Sequence, residues 1–177
     1  MTREQFEHAI RAAGAILGSN EVLVIGSQAL HASVATEFPE SALRSVEVDL
    51  AVLGDDGSKA DLIDGSIGEA SMFHETFGYY AQGVTEQTAI LPPGWRDRLV
   101  RFESPATQGV VALCLEPHDL WLAKAVANRE KGIEFCCALL EGGIVQESDL
   151  LRRLESMQDL EEATAGLVRR RIAGAAI

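Results

Sequence analysis

VLVIGSQALHASVATEFPESALRSVEVDLAVL, residues 22–53, decides the fold of this chain. The stretch opens with one short apolar run, Val22 to Ile25, and closes with another, Val46 to Leu53, and both have the composition of buried strands. The second run also carries two acidic residues, Glu47 and Asp49. Alternate side chains of a strand lie on the same side, so these two carboxylates share one face. A carboxylate that faces a core is costly unless another group pairs with it or it coordinates a metal.

Patterns outside this stretch predict an α/β (α+β) fold, in which a mixed, twisted sheet is flanked by helices. Thr2 and Gln5 match a capping box, and the apolar residues that follow recur at helical spacing, so we expect a helix over residues 3–17. Further strands are predicted over residues 86–91, 98–102 and 110–115. The sequence PPGW at 92–95 is a turn signal, which predicts an antiparallel hairpin between the first two of these strands.

The chain changes to helical patterns at Pro117, a residue type that is favoured in the first turn of a helix. His118 and Asp119 follow it, and we expect them to cap this helix. The sequence therefore predicts an α/β core at residues 1–115 and a C-terminal helical subdomain at 116–177 packed on that core.

The composition favours a soluble globular protein and argues against general nucleic-acid binding. The 177 residues suit one compact domain, or one domain with a helical appendage. The net charge of −12 disfavours general DNA binding, because sequence-independent affinity comes from Lys and Arg that neutralise phosphates. The three cysteines lack a zinc spacing, and the N-terminus does not have the pattern of a signal peptide. We therefore expect a cytoplasmic protein with reduced thiols and no membrane association.

The acidic pair and the glycine-serine step suggest a site for a metal and a phosphate. Two carboxylates on one face suit Mg²⁺, which binds a few carboxylates together with substrate phosphates and water. Gly26 permits a close backbone approach, and the helix that begins at Ser27 directs free N–H groups towards an anion. The alternative is structural: Gly26 ends a strand and Ser27 caps a helix.

Two segments together resemble the nucleotidyltransferase superfamily. The first combines IleGlySer at 25–27 with GluValAspLeu at 47–50. The second, CLEPHDLWLAKAVANREKGIEFCCALL, follows LPPGWRDRLVRF and resembles uncharacterised bacterial nucleotidyltransferase-like domains related to abortive-infection and toxin-antitoxin nucleotidyltransferases. In those domains a helix of the form DLxxxKxxAxRxKD follows the sheet. The matching positions here are Asp119, Leu120, Lys124, Ala127, Arg129 and Lys131.

The resemblance implies a Mg²⁺-dependent (or Mn²⁺-dependent) transfer of a nucleoside monophosphate from a nucleoside triphosphate to a hydroxyl acceptor. The acceptor would be RNA or a small molecule, and a cognate antitoxin-like protein would be a partner. The implied metal ligands and catalytic carboxylates are Glu47 and Asp49, with Lys124 as a catalytic cation near a phosphate. The implied nucleotide-binding residues are Gly26, Ser27, Arg129 and Lys131.

Two departures from the family pattern support a second hypothesis. Gly132 stands where the helix motif has Asp, and the family's usual third carboxylate has no clear counterpart. Glu86, Glu103 and Asp97 are candidates by their position in the chain, although each also reads as an ordinary surface charge. The alternative function is therefore a binding or regulatory module with the nucleotidyltransferase fold and degraded catalysis.

Overall fold

The computed structural model describes residues 1–34, 40 and 44–174 of the protein. Within them, the α-helices are α1 (Arg3–Leu17), α2 (Ser58–Ile67), α3 (Met72–Phe77), α4 (Pro117–Ala127), α5 (Glu130–Glu141), α6 (Glu147–Ser156) and α7 (Glu162–Ile172). The strands are β1 (Glu21–Val24), β2 (Glu47–Ala51), β3 (Tyr80–Gly83), β4 (Val100–Phe102) and β5 (Val111–Cys114). Short 3-10 helices lie at Ser27–Ala32, Glu86–Thr88, Trp95–Arg98 and Pro105–Thr107.

One mixed sheet contains the five strands of this described part, in the order β3-β2-β1-β5-β4. β1 pairs antiparallel with β2 and parallel with β5. β2 pairs parallel with β3, and α2 and α3 form the crossover that joins these two strands. The predicted α+β class with a mixed sheet flanked by helices is confirmed. The predicted first helix is confirmed too, including the reciprocal capping box of Thr2 and Gln5.

The strand predicted over residues 86–91 is wrong, and so is the hairpin. Thr85 and Thr88 instead form a reciprocal capping box around a 3-10 helix. Glu86 in that helix is buried, accepts a hydrogen bond from the backbone N–H of Gly54 and pairs with Arg96. The capping box satisfies the backbone N–H groups of Thr85 and Thr88 without a neighbouring strand. β4 pairs antiparallel with β5 instead.

The helices cover the sheet and extend a single hydrophobic core. α1 packs against α2, and α2 also lies against β3 and β2. The helices that follow the last strand contribute Trp121, Leu139, Leu150 and Val168 to the same buried cluster. Burial of such side chains stabilises the fold by about 25 cal/mol for each Å² of apolar surface.

A buried ion-pair network joins α4 to the 3-10 helix that precedes β4 and to α6. The Asp119 carboxylate is fully buried and accepts hydrogen bonds from Arg98 at 2.8 and 3.1 Å and from Arg153 at 2.8 Å. The expectation that Asp119 caps α4 is wrong. The N-cap residue is Glu116, whose carboxylate accepts a hydrogen bond from the backbone N–H of His118 at 3.1 Å.

Among the described residues, none of the helices combines the length and the apolar character that crossing a bilayer requires.

Candidate functional site

Gly26 lies directly against the carboxylate of Asp49. The backbone N–H of Ile25 donates to the carbonyl of Asp49 at 3.2 Å, which extends the antiparallel pairing of β1 and β2 and sets the two residues side by side. A Cβ atom added to Gly26 would lie 1.6 Å from Oδ2 of Asp49. The glycine is thus required by this contact, because its φ of −84° is one that any residue adopts.

Ser27 begins the 3-10 helix Ser27–Ala32 rather than capping it. Gly26 holds the N-cap position, and no side chain makes a capping hydrogen bond there. The Ser27 side chain is half-buried, and its hydroxyl accepts a weak 3.5 Å hydrogen bond from the amide of Gln28. The alternative that Ser27 caps this helix is therefore wrong. The alternative that Gly26 ends the strand agrees with its position just after β1, against Asp49.

Glu47 and Asp49 share one face of β2, as the alternation predicts, and Val48 and Leu50 are buried on the other face. The two acidic side chains are half-buried. The pKa of Asp49 is raised to about 6, mainly by burial and also by the charge of Glu47 and a hydrogen bond with it, while nearby cations lower it. Two carboxyl groups at hydrogen-bond distance repel each other when both are ionised, so this face attracts either a proton or a cation.

Two cations lie close enough to act on this pair. Lys124 of α4 has the largest lowering effect on the pKa of Asp49, and Arg129, the N-cap residue of α5, has a smaller effect in the same direction. The fold therefore brings Lys124 and Arg129 from the C-terminal helices to the strand that carries the pair. Lys131 is exposed on the first turn of α5, and within the described ranges no hydrogen bond or ion pair joins it to Glu47 or Asp49.

β3 supplies the neighbouring side chains that the sequence pattern did not indicate. Tyr80 lies opposite Glu47 and Gln82 opposite Asp49 in the parallel ladder, so all four side chains share a face. The Tyr80 hydroxyl donates to Oε2 of Glu47 at 2.9 Å. Burial and this bond raise the pKa of Tyr80 to about 12, so the phenol stays protonated and holds the Glu47 carboxylate in place.

A cavity of about 310 Å³ opens beside the pair. Three of its five lining residues are acidic. The lining residues are Glu47, Asp64, Glu69, Tyr80 and Gln82. Asp64 comes from α2 and accepts a hydrogen bond from the backbone N–H of Gly83 at 2.7 Å. An alternating pattern in β3 could have indicated Tyr80 and Gln82, but a four-residue strand is too short to show one clearly.

The three candidates for a third carboxylate lie elsewhere. Glu86 is held by Arg96 and Gly54 beyond the far end of β3. Glu103 follows β4, whose last residue pairs at the end of the sheet away from Gly26. Asp97 is exposed and precedes β4, which is three strands from β2 and thus about 14 Å away. The position opposite Asp49 belongs to Gln82.

The histidine that follows Ser27 in the chain makes structural contacts. His31, one turn after Ser27, is buried, stacks on Phe6 with ring centroids 4.7 Å apart and contacts Oε1 of Gln28 at 3.1 Å. Burial lowers the pKa of His31 to about 4, so the ring is neutral at physiological pH and does not attract a phosphate.

In the described ranges, no group of three or more His, Cys, Asp or Glu side chains has the arrangement of a metal site. The candidate site therefore consists of two carboxylates, a glycine backbone pressed against one of them, and a lysine from α4. Such a site can hold a hard cation when phosphate oxygens and water complete the coordination shell. In comparisons with protein-family models, curated proteins and solved structures, none matches this chain.

Proposed function

We propose that the protein is a Mg²⁺-dependent nucleotidyltransferase whose site is formed by Glu47 and Asp49. The observation that carries the proposal is the close contact of Gly26 with Asp49. It places the backbone turn between β1 and the 3-10 helix next to a paired-carboxylate face. A triphosphate at this turn would lie beside the start of the 3-10 helix, which no side chain caps, and beside the carboxylates that would hold the cation.

The donor set fits Mg²⁺ in number and in charge. Mg²⁺ binds through one or two carboxylates and completes its shell with phosphate oxygens and water. The raised pKa of Asp49 supports this fit, because two ionised carboxylates repel each other and a bound cation relieves that repulsion. Bound Mg²⁺ supplies charge neutralisation on the phosphate oxygens.

The chain's own side chains would orient the reactants. Tyr80 fixes the rotamer of Glu47 through its 2.9 Å hydrogen bond. Lys124, a neighbour of Asp49, can pair with a phosphate oxygen when the carboxylates are occupied by a cation. The nucleophile is then a hydroxyl of the acceptor, which attacks the α-phosphorus while pyrophosphate leaves.

A small molecule is the acceptor that the surroundings favour. The cavity beside the pair is lined by Glu47, Asp64 and Glu69, and a phosphate backbone is repelled by such a surface. Neutral or cationic acceptors are not repelled by this acidic surface. A hydroxyl-bearing small molecule is therefore favoured over RNA as the acceptor.

The second candidate function is nucleotide binding without turnover. The observation that favours it is Gln82, a neutral amide at the position that faces Asp49 from the adjacent strand. A carboxylate there could take the proton of the acceptor, and a neutral amide cannot.

Thermal unfolding with each of the four ribonucleoside triphosphates, with and without Mg²⁺, tests the site. Binding to the folded state at a hundredfold excess over Kd stabilises it by about 2.7 kcal/mol. We expect a Mg²⁺-dependent rise in Tm for the wild type and for Glu69→Gln, a matched change at an exposed cavity residue. Each variant is compared with its own baseline, and Asp49→Asn should show no rise.

Pyrophosphate release then separates the two functions. Metal-dependent release with the stabilising nucleotide and a hydroxyl acceptor supports the transferase. Tight binding without release, across a panel of sugars, aminoglycosides and RNA, supports the binding module. Equal stabilisation of the wild type and of Asp49→Asn would contradict both, because each of them places the nucleotide at this carboxylate.

A further inference from the structure

A second cavity lies among the C-terminal helices, and no residue of the acidic pair lines it. It has a volume of about 280 Å³ between α4, α5 and α7. Its walls are largely apolar, formed by Trp121, Ile133 and Leu140 together with the thiols of Cys136 and Cys137. Cys137 is exposed and Trp121 is fully buried, so the cavity extends from the surface to the core.

A guanidinium group belongs to this apolar cavity. Arg171 of α7 lines it, and two hydrogen bonds hold the group in place. Nη1 donates to the carbonyl of Ala125 at 2.9 Å, and Nη2 donates to Oδ1 of Asn128. Both acceptors are at the end of α4, so the group has a fixed position.

The guanidinium of Arg171 has no carboxylate partner within ion-pair distance among the residues that the structure describes, and its Nε is buried there without a hydrogen-bond partner. A guanidinium has five N–H donors, and only two of them are matched by the bonds to Ala125 and Asn128. Such a group is costly to keep partly buried unless an anion joins it.

We propose that this cavity binds a small monocarboxylate with an apolar body. The carboxylate accepts hydrogen bonds from Arg171, which favours planar anions, and the apolar body lies against Trp121, Ile133 and Leu140. Inorganic phosphate fits less well, because Arg171 is the single cation among the lining residues that the structure describes. A cavity of about 280 Å³ holds roughly nine water-sized groups, which matches an acid of the size of hexanoate.

Tryptophan fluorescence can report this binding directly. The chain has two tryptophans, and Trp95→Phe leaves Trp121 as the only one. The indole N–H of Trp121 donates to the carbonyl of Cys136 at 2.9 Å, so the ring is fixed at the cavity wall. In this background, sodium hexanoate is titrated against Trp121 emission and Tm, in parallel with hexanol and inorganic phosphate at equal ionic strength.

We expect saturable changes with hexanoate and none with hexanol or phosphate. Arg171→Gln should weaken hexanoate binding roughly 10- to 100-fold, the range for a lost hydrogen bond to a charged group. Arg170→Gln changes the exposed neighbouring arginine and should bind as the parent does. Cys137→Trp fills the open side of the cavity and should abolish the Tm rise with hexanoate. If Arg171→Gln does not fold, this second variant still tests whether hexanoate binds in the cavity.

Three results would overturn the proposal. The first is no response to hexanoate up to a concentration of about 10 mM, which is near the weak limit of specific binding. The second is an equal response in the blocked Cys137→Trp variant. The third is a response to phosphate in place of hexanoate. None of them involves a nucleotide or Mg²⁺, so they leave the proposed function of the acidic pair untouched.

Discussion

Asp49→Asn should stabilise the protein at neutral pH, although it removes the central residue of the candidate site. Burial raises the pKa of Asp49 from 3.8 to about 6 in the folded state. The folded state therefore holds this proton more tightly than the unfolded state, and stability falls as the pH rises from about 4 through about 6. At pH 7 and above, the shift corresponds to about 3 kcal/mol, an upper bound that asparagine avoids because it stays neutral.

Urea unfolding of the wild type and Asp49→Asn from pH 4 to pH 8 measures this difference. The two proteins should have equal stability near pH 4 and diverge above it. At pH 8 the urea midpoint of the variant should be higher by roughly 1 to 1.5 M, for a slope of about 2 to 3 kcal/mol/M. Glu69→Gln, an exposed change in the cavity that Glu47 lines, should follow the wild-type profile within about 0.5 kcal/mol. Parallel profiles for the wild type and Asp49→Asn, or a variant that is less stable at pH 8, would refute the reasoning.

Three further changes test the contacts around the site. Gly26→Ala places a Cβ atom 1.6 Å from Oδ2 of Asp49 and should cost roughly 1 to 3 kcal/mol in urea unfolding, most of it recovered in the double variant with Asp49→Ala. Lys124→Met removes the cation with the largest effect on Asp49, and carboxyl NMR titration should give Asp49 a pKa above 6; an unchanged pKa would contradict the pairing. Asp119→Ala leaves Arg98 and Arg153 without their buried partner and should cost about 3 to 5 kcal/mol. Arg101→Ala, which breaks an exposed pair with Glu21, should cost less than about 1 kcal/mol, and equal losses would show that burial does not set the cost.

Local patterns made the first two strands and the first helix predictable. Val22 to Ile25 and Val46 to Leu53 signal strands by composition alone, and the observed β1 and β2 lie within a residue or two of them. The acidic face of β2 follows from a period of two residues. The sequence indicates Gly26 for its backbone flexibility, whereas the structure shows that its lack of a side chain makes room for the carboxylate of Asp49. The pairing of β1 with β2 brings these two residues together.

The non-local parts of the site could not be predicted in this way. β3 has four residues, and its partner β2 lies about thirty residues earlier in the chain, so neither length nor local pattern indicated the pairing that presents Tyr80 and Gln82. The segment 86–91 has strand-like apolar residues, but the capping box of Thr85 and Thr88 determines its start. A reciprocal cap of this kind is visible in a sequence only if the helix is expected there.

Gly132 carries less weight against catalysis than the sequence pattern suggested. A Cβ atom at Gly132 would lie 3.7 Å from the Cβ of Lys124, so an aspartate at this position would be a direct neighbour of that lysine. Its carboxylate would compete with Asp49 for the same positive charge. In its absence, Lys124 is the cation with the largest effect on Asp49. Without a carboxylate at position 132, Lys124 still has the carboxylate of Asp49 as a neighbour. Gln82, which faces Asp49 with a neutral amide, therefore gives stronger support than Gly132 to the proposal of binding without turnover.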